Sequence, residues 1–151
     1  MTSQPAPGLA SGLRHTGHFI VDTRHTVPQV DTSWPGFQEM PPVLATAMMA
    51  AFIEQTCIQG LSPFLKPGQK TVGIHVDVSH VAATPVGMSV TADVELVAID
   101  GKTLLFKVSC HDEAGLIGEG MHQRSIIDAA RFMQRVQDKQ AAATAPTPGF
   151  R

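Results

Sequence analysis

The chain has 151 residues, 43% of them hydrophobic and 16% charged, enough to build one domain with its own core and too few for two ordinary ones. Eleven Lys and Arg against thirteen Asp and Glu leave a net charge of -2, which excludes the basic footprint of a nucleic-acid binder. No run approaches the roughly 18 apolar residues of a membrane span, and the two cysteines, Cys57 and Cys110, lack the spacing of a zinc site or a disulfide framework.

The opening MTSQPAPGLASG has neither a basic nor an apolar signal region, so the expectation is a soluble protein of the reducing cytoplasm with neither membrane nor nucleic acid as partner. Both ends are rich in Pro, Ala, Ser, Thr and Gly, compositions that bury too little apolar surface to offset their ordering entropy. Residues 1–14 and 139–151 are expected to be disordered tails around one domain at 15–138.

A short first strand is expected from Thr16 to Asp22, followed from Thr23 to Pro42 by a proline-rich segment without period, which reads as a lid or functional loop. Val43 to Leu61 contains no interior proline and reads as one helix of about five turns, apolar nearly all round and therefore buried. Period-two alternation then takes over. In Val72 to Ala82 the even positions Ile74, Val76, Val78 and Ala82 are apolar and His75, Asp77 and Ser79 polar, the pattern of a strand with one packed and one wet face. Val90 to Leu96 and Leu104 to Cys110 alternate in the same way on either side of Asp100-Gly101, a hairpin signal. A last strand runs from Leu116 to about Ile127, with a short helix at Ala129 to Gln137.

This order predicts an α+β domain in which an antiparallel sheet wraps around one long buried helix, the hotdog arrangement. One sheet cannot cover the whole helix, and the strand at Val72 to Val81 has an edge open to pairing. A homodimer or higher even homo-oligomer is expected.

Glu54 has Ala50, Ala51, Cys57 and Ile58 as its helix neighbours three and four positions away, with no Lys or Arg to neutralise it. Either the helix is less buried than expected and Glu54 reaches solvent, or it is a general base or nucleophile whose pKa burial would raise. His80 shares parity with Ile74, Val76 and Val78, which places it on the packed face, as a core histidine or an acid/base group. Thr46 precedes Glu54 on the same helix by about 12 Å along the axis and ~80° around it, too far for a direct hydrogen bond. The two either share a substrate or meet across a dimer interface, unless Thr46 is an ordinary helix residue bonded back to a carbonyl.

His75 and Asp77 are two apart on a wet strand face, and two ligands do not make a metal site. His122 and Arg124 share a face of the last strand with Gly118 and Gly120, where a ligand or backbone can approach closely; Arg124 either binds a carboxylate or phosphate or pairs with an acidic neighbour. Gly73 marks a bulge or a backbone N–H aimed at a carbonyl. P-loop, GxSxG and GxGxxG patterns are absent.

Three strings carry a family resemblance: PVLAT at 42–46 followed by AFIE at 51–54, VSHVAATPVG at 78–87, and IGEGMHQR at 117–124. Over about Gly17 to Gln137 the chain resembles the hotdog-fold fluoroacetyl-CoA thioesterase family. The resemblance implies hydrolysis of a short acyl-CoA, needing no cofactor since CoA is part of the substrate, at a site near the dimer interface. It implies a catalytic set of Thr46, Glu54 and His80, with Gly73 near the thioester and Arg124 on the last strand. Where the fluoroacetyl-specific enzyme has a phenylalanine lid residue this chain has Met40, so the resemblance carries thioester hydrolysis without fluoroacetyl selectivity. Phe37 and Trp34 lie close by to cover the pocket, and Lys66, Lys70 and Arg124 are available for CoA phosphates. The competing readings are a hotdog hydratase, which needs Asp77 and His80 to converge despite opposite strand parity, and a non-catalytic acyl-CoA or small-ligand binding protein.

Overall fold

A computed structural model describes residues 8–144. Five strands, β1 (Arg14–Ile20), β2 (Gln69–Val78), β3 (Ser89–Asp100), β4 (Thr103–His111) and β5 (Leu116–Asp128), form one antiparallel sheet in the order β1-β3-β4-β5-β2. Between β1 and β2 lie two single-turn helices, α1 (Val27–Val30) and α2 (Pro35–Gln38), and the long helix α3 (Thr46–Leu61); α4 (Ala129–Thr144) closes the chain. The sheet wraps around α3, which touches β1 and β2 at its two edges and β3 and β4 between them.

The alternation expected for β3 and β4 holds: Val90, Ala92, Val94 and Leu96, with Leu104, Phe106, Val108 and Cys110, are buried against Met49, Ile53, Cys57 and Leu61 of α3. Asp100 pairs with Thr103 across a tight turn in which Gly101 takes a positive φ of 60°, the reason for a glycine there. Close packing of α3 on β1 uses two further glycines. A Cβ at Gly17 would come within 2.8 Å of Thr56 Oγ1, and one at Gly60 within 2.8 Å of His15 Cβ.

Several boundaries differ from expectation. The helix starts at Thr46 rather than Val43, because Val43 and Leu44 are drawn into bridges with Pro85 and Thr26, and the Leu44 N–H donates to the Thr84 carbonyl at 2.9 Å. The helix is also not buried all round: Ala47, Ala51, Gln55, Ile58 and Gln59 stay exposed, since one curved sheet covers only part of a cylinder. The proline-rich segment is not without structure, as α1 and α2 each begin at or next to a proline suited to a helical first turn.

β2 is an edge strand, as expected, but its even positions are not a packed face. Ile74 and Val76 are each 50% exposed, because a bulge between Gly73 and His75 shifts the register and the strand has a neighbour on one side only. The final helix reaches Thr144, beyond the Gln137 expected, and Leu9 and Leu13 pack on the core. Of the two tails, residues 1–7 and 145–151 lie outside the described residues.

Candidate active site

The candidate residues form two groups. The first joins the start of α3 to the segment leaving β2. His80 lies beyond the end of the strand at Val78, so strand parity does not govern it; its ring turns to α3, where Nδ1 meets Thr46 Oγ1 at 2.7 Å. The bridge between Val43 and Pro85 and the hydrogen bond from the Leu44 N–H to the Thr84 carbonyl bring the two together. The Thr84 hydroxyl donates to Asp112 at 2.8 Å and anchors that loop in turn. His80 Nε2 is buried with no hydrogen-bond partner among the described residues. Burial lowers the His80 pKa below the ordinary histidine value of 6.5, favouring the neutral base. Thr46 opens α3 with no side chain capping the helix; the Met48 and Met49 N–H groups donate to the Ala45 carbonyl, which leaves those of Thr46 and Ala47 beside the hydroxyl.

The second group surrounds Glu54, two turns further along α3. Of the two readings of Glu54, the structure matches the first on exposure, since the carboxylate reaches solvent, and corrects the premise of both, since a cation does neutralise it. Arg124 Nη1 donates to Glu54 Oε1 at 2.9 Å, and the Glu54 side chain is 44% exposed while that of Arg124 is 3% exposed. The partner comes from β5 across the sheet, which helix spacing does not reveal. Arg124 is itself held from β2: Nε donates to Thr71 Oγ1 at 2.9 Å and Nη2 to the Thr71 carbonyl at 2.8 Å. Gly73 lies against this pair, and a Cβ there would come within 2.5 Å of Glu54 Oε1. Of the two readings of Gly73, the bulge is observed, as a register shift between Gly73 and His75. A cavity of about 350 Å³ opens here, walled by Ala50, Glu54, Gly73, Val76 and His122. A larger concavity of about 870 Å³ between residues such as Arg14, Glu95, Lys107 and Glu119 contains none of the candidate catalytic residues.

Thr46 with His80 and Glu54 with Arg124 are thus separate assemblies on one helix, about 12 Å apart along its axis. Phe37 packs its ring edge-on to Trp34, with centroids 5.1 Å apart, and Met40 is 47% exposed; neither lines the Glu54 cavity. Asp77 stays exposed on β2 while His80 turns to Thr46, so the acid-histidine pair of a hydratase is not assembled. Among the described residues no group of three or more His, Cys, Asp or Glu could hold a metal, and no helix is long and apolar enough to cross a membrane. Thr71 was missed in the sequence; its signal was shared strand parity with Gly73, which the approach to Arg124 makes meaningful only in three dimensions.

A family model described as fluoroacetyl-CoA-specific thioesterase matches residues 21–130. The chain belongs to this family. It is 37% identical over 135 residues to the fluoroacetyl-CoA thioesterase of Streptantibioticus cattleyicolor, across 89% of this chain and 97% of that protein. A variant of the fluoroacetyl-CoA thioesterase solved in complex with acetyl-CoA matches with a TM-score of 0.85 at 36% identity, covering 87% of this chain and 98% of the other. A hot-dog-like protein from Thermanaerovibrio acidaminovorans shares the fold, with a TM-score of 0.73 at 20% identity over 89% and 93% of the two chains. Membership makes this hotdog protein a thioester hydrolase.

Of the two readings of Arg124, the structure shows the pairing with an acidic neighbour: its guanidinium is buried, and four of its five N–H groups face Thr71, Glu54 and His122. Lys66 and Lys70 lie on another part of the chain, at and before the start of β2.

Proposed function

We propose that the chain hydrolyses short acyl-CoA thioesters as a homodimer whose catalytic groups come from both subunits: Thr46 and His80 from one, Glu54 with Gly73 and Arg124 from the other. The observation that carries this reading is the separation of the two assemblies along α3. A thioester carbonyl needs its attacking group and its oxyanion donors within about 3.5 Å, and groups two helix turns apart on one chain do not provide that. The open edge of β2, with Ile74 and Val76 exposed beside the Glu54 cavity, and the exposed Ala47, Ala51 and Ile58 of α3 support a second copy seated there.

In this reading Arg124 holds Oε1 of Glu54 and leaves Oε2 to attack the carbonyl or to activate water. The Thr46 hydroxyl and the N–H groups of Thr46 and Ala47 at the start of α3 stabilise the oxyanion. The C–S bond breaks as the C–O bond forms. In the water route the proton drawn from the attacking water is the one that ends on the departing CoA thiolate, with neutral His80 taking it up and passing it on. In the acyl-Glu54 route CoA leaves as the thiolate and is protonated by solvent, while neutral His80 takes the proton of the water that later attacks the acyl group. Hydrolysis of any covalent acyl-Glu54 returns the free acid. The Glu54 cavity, at about 350 Å³, suits a short acyl group. The buried, unpaired thiols of Cys57 and Cys110 accord with a reducing cytoplasm.

Release of free thiol from a panel of acetyl-, fluoroacetyl-, branched short-chain and aryl-CoA tests the reading. At least one short acyl-CoA is turned over, and Glu54→Gln and His80→Ala lose about a hundredfold or more in kcat while remaining folded. CoA thioester binding with no turnover by the wild-type protein would contradict it and leave a binding protein.

A further inference from the structure

His122 is as buried as Arg124, each with 2% of its surface exposed, and the proposed chemistry does not use it. Its Nδ1 lies 2.8 Å from the His75 carbonyl oxygen. A carbonyl only accepts, so Nδ1 carries the ring proton and Nε2 is left with a lone pair. Toward that lone pair, at 3.2 Å, points Arg124 Nη1, the same nitrogen that donates to Glu54 Oε1. The two N–H bonds of one guanidinium nitrogen are divided between the imidazole and the carboxylate. The His75 carbonyl that fixes the tautomer sits at the bulge following Gly73, so the irregularity in β2 and the ring on β5 form one device.

We infer that His122 is a positioning residue, a neutral Nδ1–H histidine that orients Arg124 and through it the Glu54 carboxylate, and that protonation of His122 releases this alignment. The inference rests on the reading of Glu54 as a group that acts on the thioester. A proton on Nε2 would turn a donor toward the Arg124 donor and set two cations 3.2 Å apart in a buried place. The charged and titratable groups facing the ring are Arg124 from β5, Glu54 from α3 and His75 from β2; Phe106, its partner on β4, is apolar and buried. Burial holds the His122 pKa below the ordinary 6.5, and Arg124 and His75 lower it further against the opposing His75 carbonyl bond and Glu54. The neutral ring that the geometry requires is the form present at neutral pH.

Long-range ¹H–¹⁵N correlation spectra of the histidine rings in the wild-type protein read the tautomer without any turnover. The expected result is an Nδ1–H ring at neutral pH that gains a proton only below pH 6.5. An Nε2–H tautomer, or a charged ring at neutral pH, would overturn the inference. Kinetics supply the second arm. His122→Leu, which removes donor and acceptor but keeps an apolar side chain in the wall of the Glu54 cavity, lowers kcat about tenfold or more with a smaller change in KM, because the main loss is the alignment of a reacting group. His122→Gln, whose amide carries one donor and one acceptor and does not titrate, restores most of the loss. Folded His122→Leu protein with wild-type kcat, or failure of the glutamine to restore it, would overturn the positioning role. If the wild-type protein hydrolyses no thioester, the function reading fails on its own, and the spectra still decide the tautomer.

Discussion

Thr46 Oγ1 and His80 Nδ1 stand 2.7 Å apart, which ties the first residue of the central helix to the segment that leaves the edge strand. This contact makes a hydroxyl, a buried imidazole nitrogen and the N-terminal turn of α3 neighbours. Thr46→Ala removes the hydroxyl without disturbing a capping bond, since the cap of α3 uses no side chain. The expected outcome is a fall in kcat of about ten- to a hundredfold, with much of it restored in Thr46→Ser. Steady-state kinetics on the best substrate check it, and thermal unfolding should show little change.

Gly73 is held to glycine by the site and not by its backbone, since among the glycines with positive φ it does not appear. A methyl group there would come within 2.5 Å of Glu54 Oε1 and 3.4 Å of Arg124 Nη1. The carboxylate can move, but only by leaving the guanidinium. Gly73→Ala is therefore expected to fold and to lose about ten- to a hundredfold in kcat. A folded variant with wild-type turnover would show that Glu54 need not stay on Arg124.

The chain order of elements, the packed faces of β3 and β4 and the position of the long helix were legible in the sequence, because alternation and an unbroken apolar stretch are local signals. Candidate residues were legible by type and by family strings. Their partners were not. Glu54 meets Arg124 across 70 positions, and the Thr46–His80 contact depends on Val43 and Leu44 being taken out of the helix by bridges to a distant loop. The packed face predicted for β2 failed because period two describes the strand and not its neighbours. Ile74 and Val76 alternate as a buried face does, yet this chain alone leaves them exposed at the sheet edge.

Neither cysteine is a candidate nucleophile. Burial pushes the Cys57 thiol up to about 12, with Arg124 opposing and Glu54 adding to the shift, and burial with a contribution from Asp93 does the same to Cys110. Both should be inert to an aromatic disulfide reagent in the native state and react only with unfolding. Titration of the folded protein should find close to no accessible thiol; rapid labelling of either cysteine would contradict the burial described here.

Acid stability follows from two histidines, the buried His122 and the half-buried His80. His80 and His122 both have pKa values lowered by burial, so between the unfolded value of 6.5 and lower pH the unfolded chain binds more protons than the native one. Stability is then complete above 6.5 and falls as pH decreases through it. Tm should drop from pH 7.5 to pH 5.5, and the drop should shrink in His80→Asn and in His122→Gln. A wild-type Tm that rises on acidification over this interval would contradict the assignment.

Mixing two inactive variants tests the shared site most directly. Glu54→Gln and His80→Ala chains, each nearly inactive alone, are unfolded together, refolded and assayed by thiol release. If Thr46 and His80 of one subunit serve Glu54 of the other, each mixed dimer contains one intact site, and a random mixture recovers about a quarter of wild-type activity. If one chain supplied all three groups, mixed dimers would contain no intact site, and activity no higher than that of the separate variants would contradict the account.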